Sequence, residues 1–275
     1  MRARGLDFAV WTTPAVPGAV PLACVNGGLL FDHSALWPSL VPIAAGRQLV
    51  FYDQRGRGAS APPPGPRAAR IEHDAGDLPA LREALGIPAW DLLGHSWGGG
   101  IAQLAAAQDA NVRRLVLVDA VAPTSWWLPT LHAAALARLP EPERSTLAAL
   151  DPAALAEPDP ATHSAYSRAF APAWFADLEL APLFTPPVTS TATGAAVAAR
   201  LRRDGYDWRA QVATIRAPTL VVHGANDPLP LQAARELVAT IPDARLAVIP
   251  AAGHMPFWER PEEFFPIVEE FLAAE

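Results

Sequence analysis

Lysine is absent from this 275-residue chain, and all 21 of its basic residues are arginine. With 28 acidic residues the formal net charge is −7 and the pI is near 5.5. A nucleic-acid partner would need clustered basic side chains, and this acidic balance argues against one. The missing lysine, beside abundant alanine and 30 prolines, is a compositional bias of the source rather than a functional device. Cysteine occurs once, as Cys24, which excludes an internal disulfide. It sits in the apolar run Pro21-Leu22-Ala23-Cys24-Val25, which reads as a buried strand. No apolar run approaches the roughly 20 residues of a membrane span. The amino-terminal Met1-Arg2-Ala3-Arg4-Gly5-Leu6-Asp7 also lacks the apolar stretch of a secretory leader. The expectation is a cytoplasmic protein with no membrane partner. No internal repeat is visible, and Pro62-Pro63-Pro64 reads as a turn.

What is present is ample core material: 51% of residues are hydrophobic and 18% charged. Apolar runs at 22–25, 48–52, 90–93 and 112–118 read as strands, and 71–85 and 99–107 as helices between them. From 123 to 207 strand-like runs vanish, prolines cluster, and apolar residues fall into short helical pieces such as 131–139 and 192–203. The alternation then resumes with a strand at 219–223, a helix at 231–241, a strand at 246–249 and a terminal helix at 261–272. This pattern predicts an α/β core, residues 1–122 and 208–275, with a mostly parallel sheet covered by helices on both faces. Residues 123–207 are expected to form an inserted helical cap.

Gly94-His95-Ser96-Trp97-Gly98 carries the chemistry. A serine flanked by small residues two positions away on each side suits a sharp strand-to-helix turn that exposes its hydroxyl. Chance alone yields such a pattern in about one chain in twenty-five of this composition. Here a strand precedes it and a small-residue helix follows. Ser96 then needs a histidine to take its proton and a carboxylate to orient the imidazole. Asp227, in Gly224-Ala225-Asn226-Asp227-Pro228, and His254, in Ala252-Gly253-His254-Met255-Pro256, each follow a strand-like run. Asp119, at the end of the 112–118 strand, is the rival acid. His95 is expected to pack against the sheet, and His33, His73 and His223 are read as structural.

Five segments, Asn26-Gly27-Gly28, Asp53-Gln54-Arg55-Gly56-Arg57-Gly58-Ala59-Ser60, Gly94-His95-Ser96-Trp97-Gly98-Gly99, Gly224-Ala225-Asn226-Asp227 and Gly253-His254-Met255-Pro256, resemble the α/β-hydrolase superfamily. The order Ser96, Asp227, His254 is that family's chain order. Within the superfamily the chain looks most like the branch of proline iminopeptidases and related esterases. The resemblance implies a catalytic triad of Ser96, Asp227 and His254. It also implies an oxyanion hole from the N–H of Trp97 with a second donor at Gly28 or Leu29. Relatives usually have His where this chain has Asn26, and asparagine can still tie the loop by hydrogen bonds.

Arg55 and Arg57 are read as structural ties of their turn, whereas Trp97, Trp126 and Trp127 are candidates for lining a substrate pocket. The resulting expectation is a serine hydrolase without cofactor or metal, cleaving a small ester or amide through an acyl-enzyme. The alternatives are an aminopeptidase of the proline iminopeptidase type acting on short peptides, a cofactor-free haloperoxidase or perhydrolase, or a non-catalytic ligand-binding module. An aminopeptidase would need acids for the free ammonium, from Glu141, Glu143, Glu157, Asp159, Asp177 or Glu179. Dehalogenase and epoxide-hydrolase chemistry place a carboxylate where Ser96 stands.

Overall fold

In a computed structural model that describes residues 1–189 and 191–274, buried parallel strands form the centre of the molecule. The strands are β1 (Arg2–Ala3), β2 (Leu6–Asp7), β3 (Val10–Thr12), β4 (Leu22–Val25), β5 (Leu49–Tyr52), β6 (Trp90–His95), β7 (Val112–Val118), β8 (Thr219–Gly224) and β9 (Ala244–Ile249). β1 and β2 pair with each other, and the rest form a seven-stranded sheet in the order β3-β5-β4-β6-β7-β8-β9. Within the seven-stranded sheet, as described, only β3 runs antiparallel, and β1 and β2 are antiparallel to each other. β1, β2 and β3 were not expected from the sequence, because two- or three-residue strands are too short to display a period.

The helices are α1 (Ile71–Ala84), α2 (Trp97–Ala106), α3 (Leu128–Arg138), α4 (Glu143–Ala148), α5 (Pro160–Phe170), α6 (Ala192–Asp204), α7 (Arg209–Val212), α8 (Leu231–Thr240), α9 (Pro256–Glu259) and α10 (Pro261–Ala273). The short α4, α7 and α9, together with α5, add to those read from sequence. Residues of β4 to β8 sort by parity onto two cores: Ala23, Val25, Val50, Tyr52, Leu115, Leu117 and Val221 on one face, Leu22, Cys24, Leu49, Phe51, Val116, Val118, Leu220 and Val222 on the other. A sheet buried on both faces explains why these strands read as unbroken apolar runs. Between β7 and β8, a third apolar cluster of Ala135, Leu139, Leu147, Leu155, Tyr166, Phe170 and Ala173 joins α3, α4 and α5. α6 instead packs Val197, Ala198 and Leu201 into the first core. Among the described residues no helix is long and apolar enough to cross a membrane.

The chain leaves β4 toward β5 and later returns to β4's other side as β6. Loops from neighbouring parallel strands therefore diverge at their carboxyl ends and leave a crevice there. Asn26 follows β4, Ser96 follows β6, Asp119 follows β7, and the loops carrying Asp227 and His254 follow β8 and β9.

Candidate active site

Ser96 stands alone between the last residue of β6 and the first of α2, with φ 56° and ψ −123°. That left-handed conformation costs of order 1–3 kcal/mol and persists only where neighbours enforce it. Here the Ser96 N–H donates to Val118 O at 3.0 Å, and its carbonyl accepts from Gly99 N at 2.9 Å. The flanking glycines are demanded by close approach. A Cβ on Gly94 would lie 2.6 Å from Gly98 O, and one on Gly98 would lie 2.1 Å from Val25 O. The turn brings Trp97 N–H to the first position of α2, where the helix itself offers no acceptor.

His254 Nδ1 donates to Asp227 Oδ2 at 2.7 Å, which leaves Nε2 as the nitrogen available for proton exchange. Asp227 Oδ1 accepts from Leu229 N at 2.8 Å, and its side chain is fully buried. The backbone of the histidine loop is held as well: His254 N donates to Trp174 O at 2.6 Å, and His95 Nε2 donates to His254 O at 2.8 Å. Glu259 accepts from Gly253 N and from Ala176 N, each at 2.7 Å, tying that loop to the segment before β8. Burial, followed by the positive charge of Arg138, pushes the His254 imidazole down to about 3. The ring is therefore neutral and able to act as a base.

Asp119 is the second acid of this cluster. It is buried at φ 43°, and its Oδ1 accepts from Gly224 N at 2.8 Å. Ligand atoms of Asp119, Asp227 and His254 all lie within 4.8 Å of one another. The hydrogen bond to His254 nevertheless goes to Asp227. Burial and the neighbouring Asp227 push Asp119 well above the usual carboxylate range. Burial raises Asp227 too, to about 7, and the hydrogen bond from Asp119 opposes that rise, so of the two Asp119 is the acid that holds the proton.

The β4 loop presses on the serine: a Cβ on Gly27 would sit 2.7 Å from Ser96 Cβ and 3.2 Å from Trp97 N. Gly28 and Leu29 have φ of 80° and 56°. Neither N–H is committed to a hydrogen bond among the described residues. Asn26 holds this loop by donating from Nδ2 to Gly27 O and Phe31 O, both at 3.2 Å. Arg57 Nε donates to Leu29 O at 2.8 Å while its guanidinium grips Asp74 at 2.9 and 3.0 Å. Arg55 pairs with Asp77. Both arginines are therefore scaffolding, and Arg57 acts on the loop beside the serine.

Ser96, Trp97, Gly28, Leu29, Asp227 and His254 line one cavity of about 980 Å³ measured out to its solvent mouth. Trp127 lines it too, in ring contact with Trp97 at 5.5 Å between centroids. Trp126 does not: it is 43% exposed, and its indole N–H donates to Glu236 at 2.7 Å. Adjacent positions at a helix start point in different directions, which a Trp-Trp pair cannot reveal in sequence. Walls not anticipated are Phe31, Leu131, Tyr166, Phe170 and Trp174, together with Arg202 of α6. They come from segments with no local motif, so only packing assembles them.

The other histidines are accounted for structurally. His33 Nδ1 lies 2.9 Å from Asp53 Oδ1 and its ring stacks on Trp11; His73 Nδ1 contacts Ala68 O at 3.1 Å; His223 Nε2 contacts Leu229 O at 3.1 Å. Among the described residues two groupings have donors close enough for a metal ion, Asp32-His33-Asp53 and Asp119-Asp227-His254. Their oxygens already accept from Ser34 N, His33 N, Ala59 N, Gly224 N and Leu229 N, so an ion would have to displace these bonds.

Residues 20–261 match the family profile described as alpha/beta hydrolase fold. A proline iminopeptidase of Lactobacillus delbrueckii subsp. bulgaricus is 25% identical over 98% of this chain and 97% of that protein. A 2-hydroxymuconate semialdehyde hydrolase of Pseudomonas putida is 33% identical over 82% of this chain and 77% of that protein. The crystal structure of a proline iminopeptidase from Mycobacterium smegmatis superposes with a TM-score of 0.75 at 23% identity, covering 98% of this chain and 96% of the other.

Proposed function

Given that the chain belongs to the alpha/beta hydrolase fold family, on its proline iminopeptidase and esterase branch, we propose that it is a serine hydrolase of small esters or amides. The observation that carries this is a strained serine sharing a cavity with a histidine whose Nδ1 is bonded to a buried aspartate at 2.7 Å. In this reading Ser96 Oγ attacks the carbonyl carbon as His254 Nε2 takes the hydroxyl proton. The same proton then passes to the departing alcohol or amine as the bond to it breaks, leaving an acyl-Ser96 ester. Water, deprotonated by His254, cleaves that ester and releases the acid. Asp227 holds the imidazole tautomer throughout. Trp97 N–H and one of Gly28 or Leu29 N–H donate to the developing oxyanion, an effect of about 3–4 kcal/mol per donor in related chemistry.

Residues 123–207 act as the cap in this proposal, supported by their separate apolar cluster and by the aromatic walls they contribute. A fluorophosphonate probe is expected to add one covalent label, at Ser96, and none to Ser96→Ala. A folded parent that stays unlabelled overturns the reading.

The names of the iminopeptidase relatives favour a second reading, release of an amino-terminal proline. The six acids that would bind its ammonium lie elsewhere: none lines the cavity, and five of them are exposed. Asp159 caps α5 through Thr162 N at 2.8 Å, and Asp177 accepts from Glu179 N at 3.0 Å. Turnover of a prolyl arylamide, with none of short acyl aryl esters, would favour the peptidase.

A further inference from the structure

The carboxyl-terminal half of α6 carries three arginines with unequal fates. Arg203 pairs with Asp204 at 2.9 Å, and Arg200 reaches the same carboxylate at 4.0 Å. Arg202 has no ion pair and no hydrogen bond among the described residues, and it lines the cavity that holds Ser96. Its nearest compensation is the face of Tyr166, whose ring centroid lies 5.8 Å from the guanidinium carbon. A ring face offsets only part of the cost of withdrawing a guanidinium from water. Burial also pulls the Arg202 guanidinium below its ordinary range, and the delocalised guanidinium keeps its charge in proteins.

The groups around Arg202 are committed or neutral. His163 also lines the cavity; its Nε2 donates to Glu157 O at 2.9 Å, and burial lowers its pKa, so it adds no positive charge. Tyr166 OH bonds to His132 Nδ1 at 2.8 Å. Among the described residues the only carboxylate lining the cavity is Asp227, already engaged by His254. An unpaired five-donor fork in a largely apolar and aromatic cavity is suited to a planar anion, which it would meet with two parallel hydrogen bonds. A substrate ammonium entering the same space would meet a like charge.

We propose that Arg202 is a substrate-binding residue that selects hydrolysable substrates bearing a carboxylate, on either the acyl or the leaving-group side. This rests on the hydrolase reading above and narrows its substrate class; it runs against a free-ammonium substrate.

The first measurement is binding, which does not depend on turnover. Quenching of the cavity tryptophans is titrated with hexanoate, hexanamide and hexylamine on the parent and on Arg202→Gln. The expected order on the parent is hexanoate tightest and hexylamine weakest. The preference for hexanoate over hexanamide should exceed tenfold and should fall to about threefold or less in Arg202→Gln. Arg202→Lys, which keeps the charge and loses the fork, should fall between them, and the parent's own ordering still tests the idea if Arg202→Gln does not fold.

The second measurement compares kcat/KM for 4-nitrophenyl esters with neutral, ω-carboxyl and ω-amino acyl chains of equal length, and for butyrate esters of phenol, 4-hydroxybenzoate and 4-(aminomethyl)phenol. The carboxylate preference, taken as the parent ratio over the Arg202→Gln ratio, should appear in one series and so tell which side carries the anion. Equal binding of the three hexyl ligands, or a parent that prefers the amines, overturns the proposal. If Ser96 resists the fluorophosphonate while Arg202-dependent hexanoate binding persists, the hydrolase reading fails and the anion site stands.

Discussion

Asp227 receives its hydrogen bond from His254 at 2.7 Å, while Asp119, with ligand atoms within 4.8 Å of both, is bonded instead to the backbone of Gly224. Two buried carboxylates so close cannot both ionise without large cost. Burial raises both, Asp227 to about 7 and Asp119 well above the carboxylate range, where Asp227 adds to the rise and a hydrogen bond from Asp119 holds Asp227 back. The proton on the pair therefore sits on Asp119, where it can be donated toward Asp227.

Replacing Asp119 by Asn keeps a neutral group with a donor and an acceptor in the same place. Asp119→Asn is expected to keep kcat/KM within about threefold of the parent, whereas Asp119→Ala, which abandons Gly224 N and the support of Asp227, should lose about 10- to 100-fold. The measurement is steady-state ester hydrolysis with both variants checked for folding. Equal losses in the two would mean that the proton donor is not what matters.

Arg57 and Asp74 form an ion pair in which both side chains are wholly buried. Removing one partner strands a charge that cannot reach water. Arg57→Leu should destabilise the fold by about 3–5 kcal/mol in urea denaturation. Because Arg57 also holds Leu29 O, the surviving folded enzyme should have a lower kcat as well. A variant as stable as the parent would show that Asp74 takes up a proton once the guanidinium is gone, burial already raising it to about 6 beside Arg57.

Burial, above all, holds the His95 imidazole down to about 3 against an ordinary 6.5. Below pH 6.5 the unfolded chain takes up a proton at this position that the folded chain refuses, so His95 contributes a loss of stability as pH falls, of about 1.4 kcal/mol per unit. Asp74, with its folded pKa raised, acts in the opposite sense, but it is shared by parent and variant and cancels in their difference. The stability gap between parent and His95→Gln is therefore expected to shift by about 2 kcal/mol in favour of the variant between pH 7 and pH 5. Urea titrations at the two pH values measure it, and a gap independent of pH would contradict a buried neutral His95.

Gly98→Ala tests the turn itself. The added Cβ would fall 2.1 Å from Val25 O and 2.6 Å from Asn26 O, both backbone atoms with little room to retreat. The variant should either fail to fold or, if folded, lose fluorophosphonate labelling at Ser96 by more than tenfold through displacement of α2. Labelling at the parent rate would show that the turn tolerates the shift.

Much of this was legible in the chain. The central strands from β4 to β8 are dominated by apolar residues because both faces of the sheet are covered there, while β9 at the edge is only partly buried, and the turn at Ser96 announces itself because its steric demands fall on residues two positions away. The early strands β1 to β3 were illegible for lack of length. The walls of the cavity were illegible because they derive from α3, α5, α6 and the segment before β8, where residues far apart in sequence meet only through packing. Trp126 and Trp127 illustrate the point: identical neighbours, one at the surface bonded to Glu236 and one facing Trp97.

By itself, then, the sequence determined the features whose physics is local: a sharp turn that only small flanks permit, strand ends that present Ser96, Asp119, Asp227 and His254 on one edge, and a chain order shared with a known family. Tertiary structure alone showed which of Asp119 and Asp227 bonds the histidine, because both follow parallel strands and only the reach of the β8 loop puts one of them on His254 Nδ1. It alone left Arg202 without an ion pair or hydrogen bond among the described residues, because α6 supplies one nearby acid, Asp204, to Arg200 and Arg203, and turns the third arginine into the cavity. Which charges find each other depends on the directions in which packed helices project their side chains, and no single stretch of sequence encodes that.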